Sequence, residues 1–205
     1  MVANIAVFVS GGGTNLQALL DAADRGELKD GALVLVLSSR EDAYALERAK
    51  KHHIPTKVVS KKQAGSQQAF EAEILCTLAE YSVDMIVLAG FMSILSADFV
   101  RQYEKRIINV HPSLIPSFCG EGYYGLRVHE AALQKGVKVT GATVHFVNEV
   151  PDGGEIIFQK AVRVLKNDTP QTLQRRVMEQ AEWKLLPRAA QEVAKKIAKG
   201  KEKKL

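Results

Sequence analysis

An asparagine and a histidine two residues apart, Asn109 and His111, stand where a β-branched run ends, in Ile107-Ile108-Asn109-Val110-His111-Pro112-Ser113. Such a run reads as a buried strand. On an extended chain, residues two apart leave the same face, so the amide and the imidazole project side by side. Pro112 and Pro116 cannot donate to a strand ladder and close it there. In open parallel sheets this edge is where ligands bind. Asp152 lies in the turn Val150-Pro151-Asp152-Gly153-Gly154, where an aspartate is ordinary. A hairpin turn on the same sheet edge would bring its carboxylate against the imidazole, favouring the imidazolium and raising the His pKa. The chemistry open to this set is proton handling. The alternative is a histidine satisfied in a loop and an aspartate that serves only its turn.

A second candidate is the loop Ser10-Gly11-Gly12-Gly13-Thr14-Asn15, between the apolar run Ile5-Ala6-Val7-Phe8-Val9 and a helical stripe at Leu16, Leu19, Leu20 and Ala23. Three glycines let the backbone approach a ligand, and a helix start offers unpaired N–H groups and a positive dipole end. The Walker pattern would need a Lys that is absent. The dinucleotide fingerprint would need a glycine in place of Leu16, and an acid in place of Ser38-Ser39-Arg40. A phosphate of a small mononucleotide-like ligand and a purely structural turn remain as readings. Ser113 lacks the glycine-flanked elbow of a hydrolase nucleophile.

The elements that must position these residues alternate at first. Strands are expected at residues 5–9, 33–37, 57–59, 85–89 and 107–110, with helices between them. Asp42 and Ser96 are candidate caps. This alternation implies a parallel, doubly wound sheet. Residues 116–125 are then irregular, a short helix follows near 128–135, and strands at 140–147 and 155–164 are joined by the Asp152 turn. So short a connection makes that pair antiparallel. Thr169-Pro170 opens the last helix, and Pro187 is expected to kink or interrupt it. The fold class is α/β, a Rossmann-like doubly wound sheet with a parallel N-terminal part and an antiparallel C-terminal extension.

The 205 residues fit one domain spanning 1–205. The net charge of +5 sits in a Lys-rich tail from about residue 195, expected to fray, and leaves 22 basic and 22 acidic residues before it. A neutral body argues against a nucleic-acid binder. Cys76 and Cys119 have neither metal-type nor redox-type spacing, and no histidine and carboxylate cluster has ligand spacing, so no metal is expected. The run at residues 5–9 is too short to span a membrane. Of the other histidines, His52 and His53 read as solvated and His145 as a hydrogen-bonded sheet residue, while His129 could face the site.

Four stretches together, Ser10 to Asn15, Ala89-Gly90-Phe91-Met92, Asn109-Val110-His111-Pro112-Ser113-Leu114 and Asp152-Gly153-Gly154, resemble the phosphoribosylglycinamide formyltransferase family of purine synthesis. The resemblance implies a cytoplasmic enzyme, a monomer or homodimer, acting on small molecules with neither nucleic acid nor membrane. Its co-substrate would be 10-formyltetrahydrofolate, with no metal. Asn109, His111 and Asp152 would be the catalytic trio. Gly13, Thr14 and Asn15 would take the substrate phosphate and Glu182 the ribose hydroxyls. Gln67, Met92, Ser93, Ile94, Leu95 and Asn109 would line the folate pocket. Arginine is common in related sequences at the positions of Ser93 and Gln67, the loop at 117–125 is longer than usual, and Glu155 replaces a frequent proline. Two other functions are compatible with the motifs: hydrolysis of formyltetrahydrofolate, and non-catalytic binding of a mononucleotide.

Overall fold

The structure is a computed structural model that describes residues 1–202 of the chain. Its strands form one sheet in the order β3-β2-β1-β4-β5-β6-β7. The first five, β1 (Ala3–Val9), β2 (Gly31–Ser38), β3 (Thr56–Val58), β4 (Met85–Leu88) and β5 (Ile107–His111), run parallel. Then β6 (Val139–Phe146) pairs antiparallel with β5, and β7 (Ile156–Arg163) antiparallel with β6. The expected parallel sheet with an antiparallel extension is what forms.

The central strands are apolar without alternation because helices cover both faces. In β1, Ile5, Val7 and Val9 enter one core, with α1 (Thr14–Asp24), α7 (Pro170–Val177) and α8 (Trp183–Glu202). Ala6 and Phe8 enter the other core, with α4 (Gln67–Glu80) and α5 (Ala97–Gln102). The remaining helices are α2 (Tyr44–Lys51), the single turn α3 (Lys61–Ala64) and α6 (Leu126–Lys135).

Ser96 accepts the Phe99 N–H, and Thr169 and Thr172 form a reciprocal capping box before Pro170. Three local expectations are corrected. Asp42 does not cap α2, whose cap position is Ala43; its carboxylate is drawn to Arg40 instead, at 2.7 Å. Pro187 does not interrupt α8, which continues to Glu202. The irregularity lies one turn earlier, as a π turn over Met178–Glu182 that precedes the proline and its missing N–H. The Lys-rich end does not fray from residue 195. Val193, Ala194 and Ala198 bury one face of α8, and Lys201 Nζ pairs with Asp84 at 2.6 Å.

Candidate active site

At β1 the strand order reverses, so the loops leaving β1 and β4 diverge and open a crevice at their carboxyl ends. The glycine loop follows β1, residues 89–96 follow β4, and His111 ends β5 beside them.

The antiparallel β6–β7 extension completes the end of the crevice at His111. Its turn carries Asp152, held at φ +55, a left-handed conformation that Asp tolerates better than most residues. Asp152 Oδ2 stands 3.4 Å from His111 Nδ1, and Oδ1 stands 3.5 Å from His145 Nε2. Asn109 lies directly opposite His145 in the β5–β6 ladder, with its Nδ2 3.3 Å from His145 Nε2. The structure therefore brings Asn109, His111 and Asp152 together. It adds His145, which the alternation of β6 identified only as a hydrogen-bonded sheet residue. His145 Nδ1 does donate to a backbone oxygen, that of Phe146 at 2.8 Å, but its other nitrogen faces the site.

His111 is almost fully buried, and both its nitrogens face acceptors: Nδ1 the Asp152 carboxylate, Nε2 the Phe118 carbonyl at 2.8 Å. Doubly protonated imidazole satisfies both. Burial nevertheless lowers the His111 pKa, outweighing the upward pull of Asp152 and of the Phe118 carbonyl. The expectation of a net raised pKa is corrected on that ground, although the contribution of Asp152 has the expected sign. For Asp152, burial acts upward, but His145, the Gly120 N–H at 2.8 Å and His111 together hold its pKa below the ordinary value. The loop at 116–125 thus lies over the pair, with one carbonyl on the histidine and one amide on the aspartate.

His129, whose placement the sequence left open, is fully buried in α6 with no hydrogen-bond partner for either ring nitrogen among the described residues. Burial, reinforced by the charge of His111, brings its pKa down to about 4.

At the glycine-loop end of the crevice, Gly13 occupies the cap position of α1 at φ +73. A Cβ there would stand 2.6 Å from the Cβ of Ala45, so the close approach of α2 requires glycine. The first intrahelical bond runs from Gln17 N–H to Gly13 O. The N–H groups of Thr14, Asn15 and Leu16 precede it and are free for an anion. Asn15 Nδ2 donates to Glu182 Oε2 at 2.8 Å, linking this helix start to the π turn that carries Glu182. Burial raises the Glu182 pKa to about 7 against the lowering effect of Asn15.

Between the two ends lies an apolar wall. Met92 and Ile94 are exposed, at 57% and 76%, while Leu95 packs on the core behind them. Gln67 Nε2 donates to the Ile94 carbonyl at 3.0 Å and also to Glu71, tying α4 to this segment near Ser93. Ser10, the first residue of the candidate loop, joins it to the wall: its Oγ accepts the Met92 N–H at 2.9 Å and lies 2.6 Å from Ser39 Oγ. Among the described residues, no group of three or more His, Cys, Asp or Glu side chains could hold a metal. No helix among them is long and apolar enough to cross a membrane.

The chain is 46% identical over 190 residues to the trifunctional purine biosynthetic protein adenosine-3 of Gallus gallus, covering 93% of this chain and 18% of that protein. It is 41% identical to the chloroplastic phosphoribosylglycinamide formyltransferase of Arabidopsis thaliana, covering 85% of this chain and 60% of that protein. The chain thus spans about a fifth and about three fifths of these relatives. Against the phosphoribosylglycinamide formyltransferase of Escherichia coli (strain K12) the identity is 40%, over 86% of this chain and 81% of that one. The solved glycinamide ribonucleotide transformylase 1 of Symbiobacterium toebii superposes with a TM-score of 0.88 at 40% identity, over 95% of this chain and 88% of that one. The formyl transferase family profile matches residues 3–190, a span that includes all seven strands, and the chain belongs to the formyl transferase family.

Proposed function

We propose that the chain transfers the formyl group of 10-formyltetrahydrofolate to the amine of 5-phosphoribosylglycinamide, a step of de novo purine biosynthesis. The observation that carries the reading is the cluster of Asn109, His111 and Asp152 in one crevice with an anion-ready helix start bound to Glu182. We assign residues 1–205 to one formyltransferase domain, monomeric or homodimeric, cytoplasmic, and working on small molecules without nucleic acid, membrane or metal.

In this reading the phosphate rests on Gly13, Thr14 and Asn15, and the ribose hydroxyls on Glu182. The folate lies along Met92, Ser93, Ile94 and Leu95, with Gln67 behind them. The amine nitrogen attacks the formyl carbon, and the carbonyl electron pair moves onto oxygen. Asn109 donates to that oxyanion from the second N–H of its amide, the first being held by His145. His111 donates from Nε2, whose proton the Phe118 carbonyl accepts in this conformation. The formyl oxygen replaces that carbonyl, so the loop carrying Phe118 yields as substrate enters. Asp152 supports the positive charge on the ring. Collapse breaks the bond to the folate nitrogen, which receives the proton lost by the amine through a water.

The test is deformylation of 10-formyltetrahydrofolate followed by absorbance, with both substrates and with each omitted. Turnover that requires both supports the transferase. Formate release without the amine would identify a hydrolase, and ligand binding without turnover a binding module.

A further inference from the structure

The glycine loop is held from behind by α2, and the manner of holding bears on how it binds an anion. The N–H of Ala45, in the first turn of α2, donates to the Gly11 carbonyl at 3.1 Å. The Arg48 side chain, one turn further on, donates from Nε to the Gly12 carbonyl at 2.8 Å and from a terminal nitrogen to Gln17 Oε1 at 2.9 Å. Its guanidinium lies over the Tyr44 ring, 5.1 Å from the centroid, which fixes its plane. Two successive loop carbonyls are thus drawn towards α2.

The peptide group is rigid, and its C=O and N–H point in opposite directions. Fixing the Gly12 carbonyl therefore fixes the Gly13 N–H, and fixing the Gly11 carbonyl fixes the Gly12 N–H. Neither Gly11 nor Gly12 has any atom within 4 Å of where a Cβ would lie, so side-chain packing does not hold these peptides. Flanked by glycines, either could rotate and present a carbonyl oxygen where an anion should bind. The Gly11 carbonyl is held by backbone. The Gly12 carbonyl depends on one side chain.

We propose that Arg48 is a positioning residue for substrate phosphate: it locks the Gly12–Gly13 peptide with its N–H towards the anion, and its positive charge lies behind that peptide. This rests on the phosphate reading of the loop given above. The role passes through the Gly12 carbonyl, so geometry and charge are separable. Lysine keeps the charge and can reach a carbonyl, but cannot grip both oxygens in one plane. Glutamine removes the charge.

The experiment measures KM for 5-phosphoribosylglycinamide, KM for 10-formyltetrahydrofolate and kcat in the parent, Arg48→Lys and Arg48→Gln. The dephosphorylated nucleoside is run as a second acceptor, inorganic phosphate as a competitive inhibitor, and melting temperature as a check on folding. Arg48→Gln should raise KM for the ribonucleotide about tenfold or more and weaken phosphate inhibition in parallel. It should change kcat and the folate KM less than twofold. Arg48→Lys should recover part of the loss. The nucleoside acceptor should be indifferent to both changes, because it has no phosphate to place. An unchanged ribonucleotide KM in folded Arg48→Gln would overturn the proposal, as would an equal loss for nucleoside and ribonucleotide. If the parent uses the nucleoside as well as the ribonucleotide and phosphate does not inhibit, the phosphate reading of the loop fails, and that failure shows without any variant.

Discussion

Asn109 and His145 face each other across the β5–β6 ladder, and their side chains meet at 3.3 Å. With Nδ1 donating to the Phe146 carbonyl, His145 turns Nε2 towards the Asn109 amide and so fixes its rotation. The same nitrogen lies 3.5 Å from Asp152 Oδ1, so this buried ring stands between two members of the site. His145→Phe should therefore lower kcat on the order of tenfold to a hundredfold while leaving both KM values within about twofold. Steady-state kinetics check this. A variant with parental kcat would reduce His145 to a packing residue.

The carboxylate of Asp152 raises the His111 pKa against the effect of burial. Asp152→Asn keeps the shape and removes the charge, so the His111 pKa should fall further and kcat should drop about a hundredfold or more. Adding His111→Asn should cost much less than its separate effect, since the two act as a unit. NMR titration of His111 and a double-mutant cycle on kcat test this. Independent losses with an unmoved titration would leave Asp152 as a turn residue.

Neighbouring glycines of the glycine loop should respond differently. Gly13→Ala meets Ala45 and a positive φ, and should cost roughly 1–3 kcal/mol of stability or more. Gly12→Ala has open space around its new methyl and should leave the melting temperature within about 2 °C. Any rise in the ribonucleotide KM of Gly12→Ala then reports on the loop itself. Equal melting losses in both would show the two positions to be equivalent.

Opposite pH slopes are expected from two buried groups. Glu182, at about 7 when folded, keeps a proton that the unfolded chain releases near 4.3. Its contribution to stability falls as pH rises through that window, by at most about 4 kcal/mol. His129, at about 4 when folded, refuses a proton that the unfolded chain takes near 6.5. Its contribution falls as pH drops from 6.5 to 4. Glu182→Gln should gain stability relative to the parent towards neutral pH, and His129→Leu towards acid. Denaturant unfolding between pH 4 and 7.5 separates them, and parallel curves would remove either assignment.

Ser93 and Gln67 leave the wall proposed for the folate without a cation at two positions, and Gln67 is already committed to Glu71 and the Ile94 carbonyl. Ser93→Arg should tighten binding of folates with an ionised glutamate tail more than of pterin fragments, with the gain shrinking in high salt. Binding titrations at two ionic strengths check this. An equal gain for both ligand types would remove the electrostatic argument.

What the sequence disclosed depended on whether the signal was local. The seven strands were legible as β-branched runs, and the trio through its motifs, because strand ends and turns carry their own residue types. His145 was not legible as a site residue, since what faces it is set by register, and the β6–β7 ladder shifts between Val144 and His145. The Lys-rich end misled through composition, although Val193, Ala194, Ile197 and Ala198 repeat at helical spacing. Asp42 failed as a cap because its neighbour Arg40 and the loop carbonyl on Ala45 met those needs differently.

The bond between Asn15 and Glu182 joins residues 167 positions apart. During synthesis the glycine loop, the Met92 wall and β5 all emerge well before the π turn. A growing chain can form the β1–α1 unit early but cannot make this bond until the π turn and α8 dock on α1. Contacts of such separation are slow to form because the loop between them must first lose its freedom. The end of the crevice closed by this bond is therefore expected to mature last, and a ligand bound there would favour the final docking step by mass action.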